Sequence, residues 1–152
     1  HTRVECELLF TEEALARQGS DVVLMAAAVA DYRPAEAVDG KRSKDSDTWS
    51  VELEATQDVL AELGRRRANG QLLVGFAADH GAEGLERARA KLAAKAVDLI
   101  VFNDVSRDDI GFDAAENQVV MISADGSERA IGKAPKSLIA AAVLDEVERL
   151  LA

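Results

Sequence analysis

The run Val22-Val23-Leu24-Met25-Ala26-Ala27-Ala28-Val29-Ala30-Asp31-Tyr32-Arg33-Pro34 changes character midway. Its first four residues are apolar without interruption and follow a turn signal, Gly19-Ser20-Asp21. Such a run predicts a strand, Asp21 to Ala28, covered on both faces, as in a parallel sheet. Four alanines then fill five positions, and small side chains let the backbone come close to another surface or to a ligand. The run closes on a carboxylate, an aromatic ring, a guanidinium and a proline. In open parallel sheets, ligands sit outside the carboxyl ends of the strands. Two readings stand at this point. Either the alanines pack on a helix and Asp31 caps a turn, or this strand end is the edge of a nucleotide site.

Working outward, two further apolar runs behave alike. Leu72 to Ala78 ends on alanines and then Asp79, and Leu99 to Phe102 ends at Asn103-Asp104. As parallel neighbours, the three would line one sheet edge with Asp31, Asp79, Asn103 and Asp104, where ligand crevices form. Helical signals alternate with them. Thr11 caps a helix to Gln18, after a strand at Val4 to Phe10. Thr56 reads as the cap of a helix through the arginines to Ala68, stopped by Asn69-Gly70. Gly81 to Ala96 is amphipathic, with Leu85, Ala88 and Leu92 on one face. Thr48 to Glu54 alternates like a half-exposed strand, and Pro34 to Asp47 is a charged, Gly- and Ser-containing loop. Gln118 to Ser123 alternates before a turn at Ala124-Asp125-Gly126, and a last helix runs from Lys136 or Ser137 to Leu151. This order predicts one α/β domain over 1–152: a mostly parallel sheet flanked by helices, with an antiparallel β addition.

With 152 residues and 48% hydrophobic content the chain has enough material for a real core. A formal net charge of −10 argues against a general nucleic-acid binder, which needs a positive field. A small anionic ligand responds to local charge instead, and the cations cluster: Lys41, Arg42 and Lys44; Arg65 to Arg67; Arg87, Arg89, Lys91 and Lys95. No apolar run reaches bilayer length, so no membrane partner is expected. The start, His1-Thr2-Arg3-Val4-Glu5, has neither a signal-peptide pattern nor a methionine, which suggests a fragment or processed chain. Cys6 stands alone and reads as a buried strand residue, which suits a reducing cytoplasm. No His or Cys spacing suggests a transition-metal site, and His80 reads as a loop residue. Magnesium needs only carboxylate and phosphate oxygen, for which Asp31 is the candidate.

The run Ala26-Ala27-Ala28-Val29-Ala30-Asp31-Tyr32-Arg33-Pro34 also resembles the signature of the bacterial phosphopantothenate–cysteine ligase family. That family is the synthetase half of the bifunctional enzyme of coenzyme A biosynthesis. Lys41-Arg42-Ser43-Lys44 stands where the family has a lysine-rich motif. Glu52-Leu53 with Thr56-Gln57-Asp58-Val59-Leu60, and Val74-Gly75-Phe76-Ala77-Ala78-Asp79, resemble two further family segments. Lys91-Leu92, Lys95, Asp98-Leu99-Ile100-Val101 and Asn103-Asp104-Val105 resemble a fourth, followed in order by Phe112, Asn117 and Lys136. Each piece is short, but their collinear order over nearly the whole chain is specific.

The resemblance implies a Rossmann-like fold and a concrete reaction. Similar enzymes join phosphopantothenate to cysteine with CTP and magnesium, through an acyl-cytidylate. Carried over by position, Lys41 is the expected catalytic residue, on a loop closing over the site. Ala28, Ala30 and Asp31 match the nucleotide-contacting strand end, and Phe76 with Ala77 a segment beside the cytosine. Lys91, Lys95 and Lys136 match phosphate-contacting positions. The resemblance also implies a homodimer and a possible fused phosphopantothenoylcysteine decarboxylase. Without it, Lys41, Lys91 and Lys95 read as ordinary solvated lysines and Phe76 as a core aromatic.

There are departures. Arg42 and Ser43 interrupt the lysine motif, and Asp79 replaces a glutamate. The family's first part, with its Gly/Ser-rich turn after the first strand, is missing, so a partial site is expected in the isolated chain. Two other functions compete with the ligase: a non-catalytic nucleotide-binding module, and a dimerising module whose strand near Trp49 to Glu54 pairs with a second copy. No Gly-x-Gly-x-x-Gly fingerprint supports a dinucleotide.

Overall fold

The computed structural model describes residues 20–36, 48, 50–106 and 115–152. The strand and helix expected before Gly19, and the residues His1, Cys6, Lys41, Arg42, Lys44, Trp49 and Phe112, lie outside the described residues.

Within them, β1 (Val22–Met25), β4 (Leu72–Asp79), β5 (Leu99–Asp104), β6 (Glu116–Ser123) and β7 (Glu128–Pro135) form one sheet in the order β1-β4-β5-β6-β7. β1, β4 and β5 run parallel; β6 and β7 add antiparallel. β2 (Tyr32–Pro34) and β3 (Leu53–Ala55) form a separate antiparallel pair. Three helices lie among the described residues: α1 (Val59–Arg66), α2 (Gly81–Ala94) and α3 (Lys136–Leu151). This is the expected α/β, Rossmann-like arrangement with its antiparallel addition.

The unbroken apolar runs of β4 and β5 follow from helices on both faces. Successive residues point to opposite sides, so Leu72 and Val74 meet Ile139 and Val143 of α3. Leu73 and Ala77 meet Val59 and Leu63 of α1 and Ala88 of α2. Leu73, Val74 and Leu99 are fully buried. Burying a side chain of this size stabilises by roughly 1.5–3 kcal/mol, which places the folding energy in these central strands.

Three expectations need correction. The first strand stops at Met25 rather than running to Ala28, and it is only half-buried, with Leu24 38% exposed. It stands at the margin of the described sheet, where less packing covers it. The strand expected over Thr48 to Glu54 is β3 alone, exposed throughout. The cap of α1 is Asp58, not Thr56: its carboxylate accepts the Ala61 N–H at 3.0 Å.

Candidate functional site

The parallel register brings strand ends to one edge, pairing Ala78 with Asn103 and Asp79 with Asp104. Because β6 pairs antiparallel with β5, its start lies at this same edge, where Glu116 faces Pro135. Lys136 therefore opens α3 there, its N–H donating to the Ala115 carbonyl at 3.3 Å. α2 begins directly after β4, and α1 returns to the start of β4, so all three helix N-termini point toward this edge. Positive dipole ends favour anions.

The acids at the strand ends have separate duties. Asp79 receives two bonds from Arg87, Nε and Nη2 each at 2.8 Å. The Arg87 guanidinium holds its carboxyl well below the usual range, helped by the His80 N–H. Asp104 accepts the N–H of Gly81 at 3.0 Å and of Ser106 at 2.9 Å, which keep it ionised to lower pH than usual. His80 holds the cap position of α2 without a side-chain cap bond, so the neighbouring strand supplies the capping carboxylate. Gly84 lets α2 close onto this edge, since a Cβ there would lie 2.9 Å from Asp79 Cβ. Asp79 and Asp104 thus build the edge and are not free to act.

Two polar groups are differently placed. The loop from Ala26 to Asp31 is exposed and pinned from below by Thr56. The Thr56 hydroxyl donates to the Ala30 carbonyl, and its N–H donates to the Asp31 carbonyl at 2.9 Å. The Asp31 carboxylate has no partner among the described residues. At the end of β5, the side-chain oxygen of Asn103 is buried and has no hydrogen-bond partner among the described residues. A buried acceptor without a donor is costly, and at a sheet edge it marks a place where a ligand donor fits. The sequence showed Asn103 as one end of a buried run, but nothing in the pattern distinguished it from Asp104.

The cations of α2 reach the same neighbourhood. Lys95 Nζ lies 3.1 Å from Asp58 Oδ2, two residues beyond Thr56. Burial pushes the Asp58 carboxyl up, but the Ala61 N–H and the charges of Lys95 and Lys91 outweigh it and leave it low. The structure therefore brings Ala30, Asp31 and Lys95 to the start of α1, with Lys91 near enough to act on Asp58 and Ala28 two residues back along the same exposed loop. The remaining candidates stand apart from that helix start or lie outside the described residues. Phe76 points to the opposite face of β4 and is 43% exposed, so it is not a core aromatic. Ala77 is buried under α2, which leaves only its backbone for a ligand. Lys136 shares this edge but opens α3 directly after β7, at the other end of the strand order from β1. Lys41 lies outside the described residues.

A cavity of about 480 Å³ lies at the other edge of the sheet, lined by Arg67, Gln71, Asp98 and Leu151 among others. Its charged pair is closed on itself, Arg67 Nη1 donating to both Asp98 oxygens at 2.9 and 2.7 Å. The polar strand ends, not this cavity, carry groups available for chemistry. No trio of His, Cys, Asp or Glu side chains converges among the described residues. No described helix is long and apolar enough to cross a membrane.

Residues 2–151 match the family model described as the DNA/pantothenate metabolism flavoprotein C-terminal domain. The chain is 41% identical over 132 residues to the coenzyme A biosynthesis bifunctional protein CoaBC of Bacillus subtilis, covering 86% of this chain and 32% of that protein. It is 42% identical over 141 residues to the CoaBC of Mycolicibacterium smegmatis, covering 87% and 34%. The chain thus spans about a third of the length of these curated relatives. Among solved structures, the C-terminal domain of a CoaBC protein superposes with a TM-score of 0.72 at 32% identity, over 93% of this chain and 60% of that one. The DNA/pantothenate metabolism flavoprotein from Streptococcus pneumoniae, at 19% identity and a TM-score of 0.71, shares the fold.

Proposed function

Because this chain belongs to the family of the DNA/pantothenate metabolism flavoprotein C-terminal domain, we propose that it carries the phosphopantothenate–cysteine ligase site of coenzyme A biosynthesis. The observation that carries this reading is the sheet edge. An Asp31 carboxylate without a partner among the described residues, a small-residue loop pinned by Thr56, and Lys91 with Lys95 gather at the start of α1.

The substrates are CTP, 4'-phosphopantothenate and cysteine. A carboxylate oxygen of phosphopantothenate attacks the α-phosphorus of CTP, forming an acyl-cytidylate and expelling pyrophosphate. The cysteine amine then attacks the acyl carbon; the new amide bond releases CMP, and the amine loses a proton. Catalysis of this kind rests on positioning and on neutralising developing charge. Lys41 is assigned to the acyl-cytidylate, and Lys91, Lys95 and Lys136 to the phosphates as point charges. Ala28 and Ala30 leave room for base and ribose, beside Phe76 and the backbone of Ala77. The Asp31 carboxylate, without a partner among the described residues, fits a role as protein ligand to a magnesium ion held mainly by the triphosphate. Bound there, magnesium would withdraw charge from the phosphate oxygens.

The length of the relatives supports a longer protein with a fused phosphopantothenoylcysteine decarboxylase. A homodimer is supported by the β2–β3 pair, whose Tyr32 and Leu53 are 62% and 55% exposed. The deciding experiment measures pyrophosphate release by the full-length protein with all three substrates. Lys41→Ala should abolish turnover while CTP still binds. Unchanged turnover removes Lys41 from the mechanism, and equal turnover with ATP removes CTP selectivity.

A further inference from the structure

Lys95 is held at both ends. Its carbonyl packs against α1 at Gly64, where a Cβ would lie 2.1 Å from Lys95 O. Its side chain runs along α1 to the helix start, where Nζ meets Asp58 Oδ2 at 3.1 Å. Asp58 is itself fixed, because Oδ1 accepts the Ala61 N–H at 3.0 Å. Lys91, one turn earlier on α2, adds its charge to the same carboxylate. The pair is reachable from solvent, with the Asp58 side chain 51% exposed.

We propose that Asp58 is a placeholder anion: it holds Lys95 in position in the free protein and yields that ammonium to a nucleotide phosphate on binding. This rests on the reading of Lys95 as a phosphate contact. Asp58 touches no reacting atom and is a positioning residue. The exchange is cheap, because an exposed ion pair contributes little and a polyphosphate offers several charges to one ammonium. Asp58 cannot follow Lys95, since its other oxygen is committed to the cap. The ammonium must therefore leave Asp58 to meet the phosphate, and the ion pair lost in that exchange lowers nucleotide affinity.

Asparagine caps a helix as well as aspartate does, so Asp58→Asn keeps the cap and removes only the charge. Calorimetric titration of the full-length protein with CTP, and separately with inorganic pyrophosphate, should show roughly two- to fivefold tighter binding in Asp58→Asn. Lys95→Gln should weaken binding, and Asp58→Asn added to Lys95→Gln should change nothing further. Weaker binding in Asp58→Asn overturns the proposal, as does an equal gain in the Lys95→Gln background, which would be plain charge repulsion. A loss confined to solutions with magnesium also overturns it, by making Asp58 a metal ligand. Unchanged CTP affinity in Lys95→Gln removes Lys95 from the functional reading itself. Binding of neither CTP nor pyrophosphate overturns both.

Discussion

Gly64→Ala should destabilise this protein although it replaces the poorest ordinary helix former with the best. In an open helix the change would stabilise by about 0.8–1 kcal/mol. Here the new Cβ would sit 2.1 Å from the Lys95 carbonyl oxygen and 3.2 Å from its carbon. The obstacle is backbone, so no side-chain rotation relieves it. The end of α2 must retreat by more than ~1 Å to restore ordinary contact. Overpacking of this kind costs about 1–3 kcal/mol and sometimes more. A 2.1 Å approach to backbone puts the cost at the upper end of that range, so the net loss is about 2 kcal/mol, or roughly 4–8 °C in melting temperature for a chain of this size. Gly84→Ala makes a milder test, since its nearest neighbour is the Asp79 side chain at 2.9 Å. Urea unfolding of the two variants should rank Gly64→Ala as the more damaging. A Gly64→Ala protein as stable as the parent, or more so, would refute the close approach of α1 to α2. CTP titration of the same variant should also show weaker binding, because Lys95 moves with the carbonyl.

The capping carboxylates make stability depend on acid. Asp79 and Asp104 ionise below the ordinary value of 3.8, and Ser127 with Arg149 brings Asp125 down to about 2. Their folded values are depressed, so their contribution is present above pH ~4 and is lost as pH falls through the folded values. Urea midpoints should be flat from neutral pH to about 5 and drop below about 4; Asp104→Asn should show a shallower drop, and an identical acid slope in both proteins argues against the Gly81 cap. On the β2–β3 pair, Leu53→Glu places a charge on a 55% exposed apolar position without disturbing the core. Sedimentation should then show dissociation of a dimer at concentrations where the parent protein stays associated, and a parent monomeric at every concentration removes the dimer.

The central strands were legible because helices on both faces leave a plain mark: unbroken apolar runs ending in polar residues at Asp79 and Asn103. The last helix and the hairpin turn at Gly126, with φ +86, were legible for equally local reasons. The start of α1 was not. Thr56 and Asp58 are both good caps two residues apart, and the sequence cannot say which one the backbone uses. The choice is made by tertiary contact, as the Thr56 hydroxyl is taken by the Ala30 carbonyl, 26 residues away. The pairing of Lys95 with Asp58 is likewise invisible in a linear pattern, because it depends on how closely α1 and α2 approach. Phe76 misleads for a different reason: strand alternation points it to the α3 face, at a height where it remains 43% exposed.

The strand order also sets a timetable for synthesis. β4 through β7 are neighbours in sequence and in space, so each finds its partner as soon as it is made. β1 does not, because Val22 pairs with Leu72, fifty residues further on. At roughly 5–20 residues per second, a nascent chain carries this apolar segment for about 3–10 s before its partner exists. During that interval the side of Val22 to Met25 that later pairs with β4 is an open edge of the kind that other chains and chaperones bind. Slowing the ribosome between Ala55 and Leu72 should therefore lower the yield of folded protein more than slowing it after Asp104.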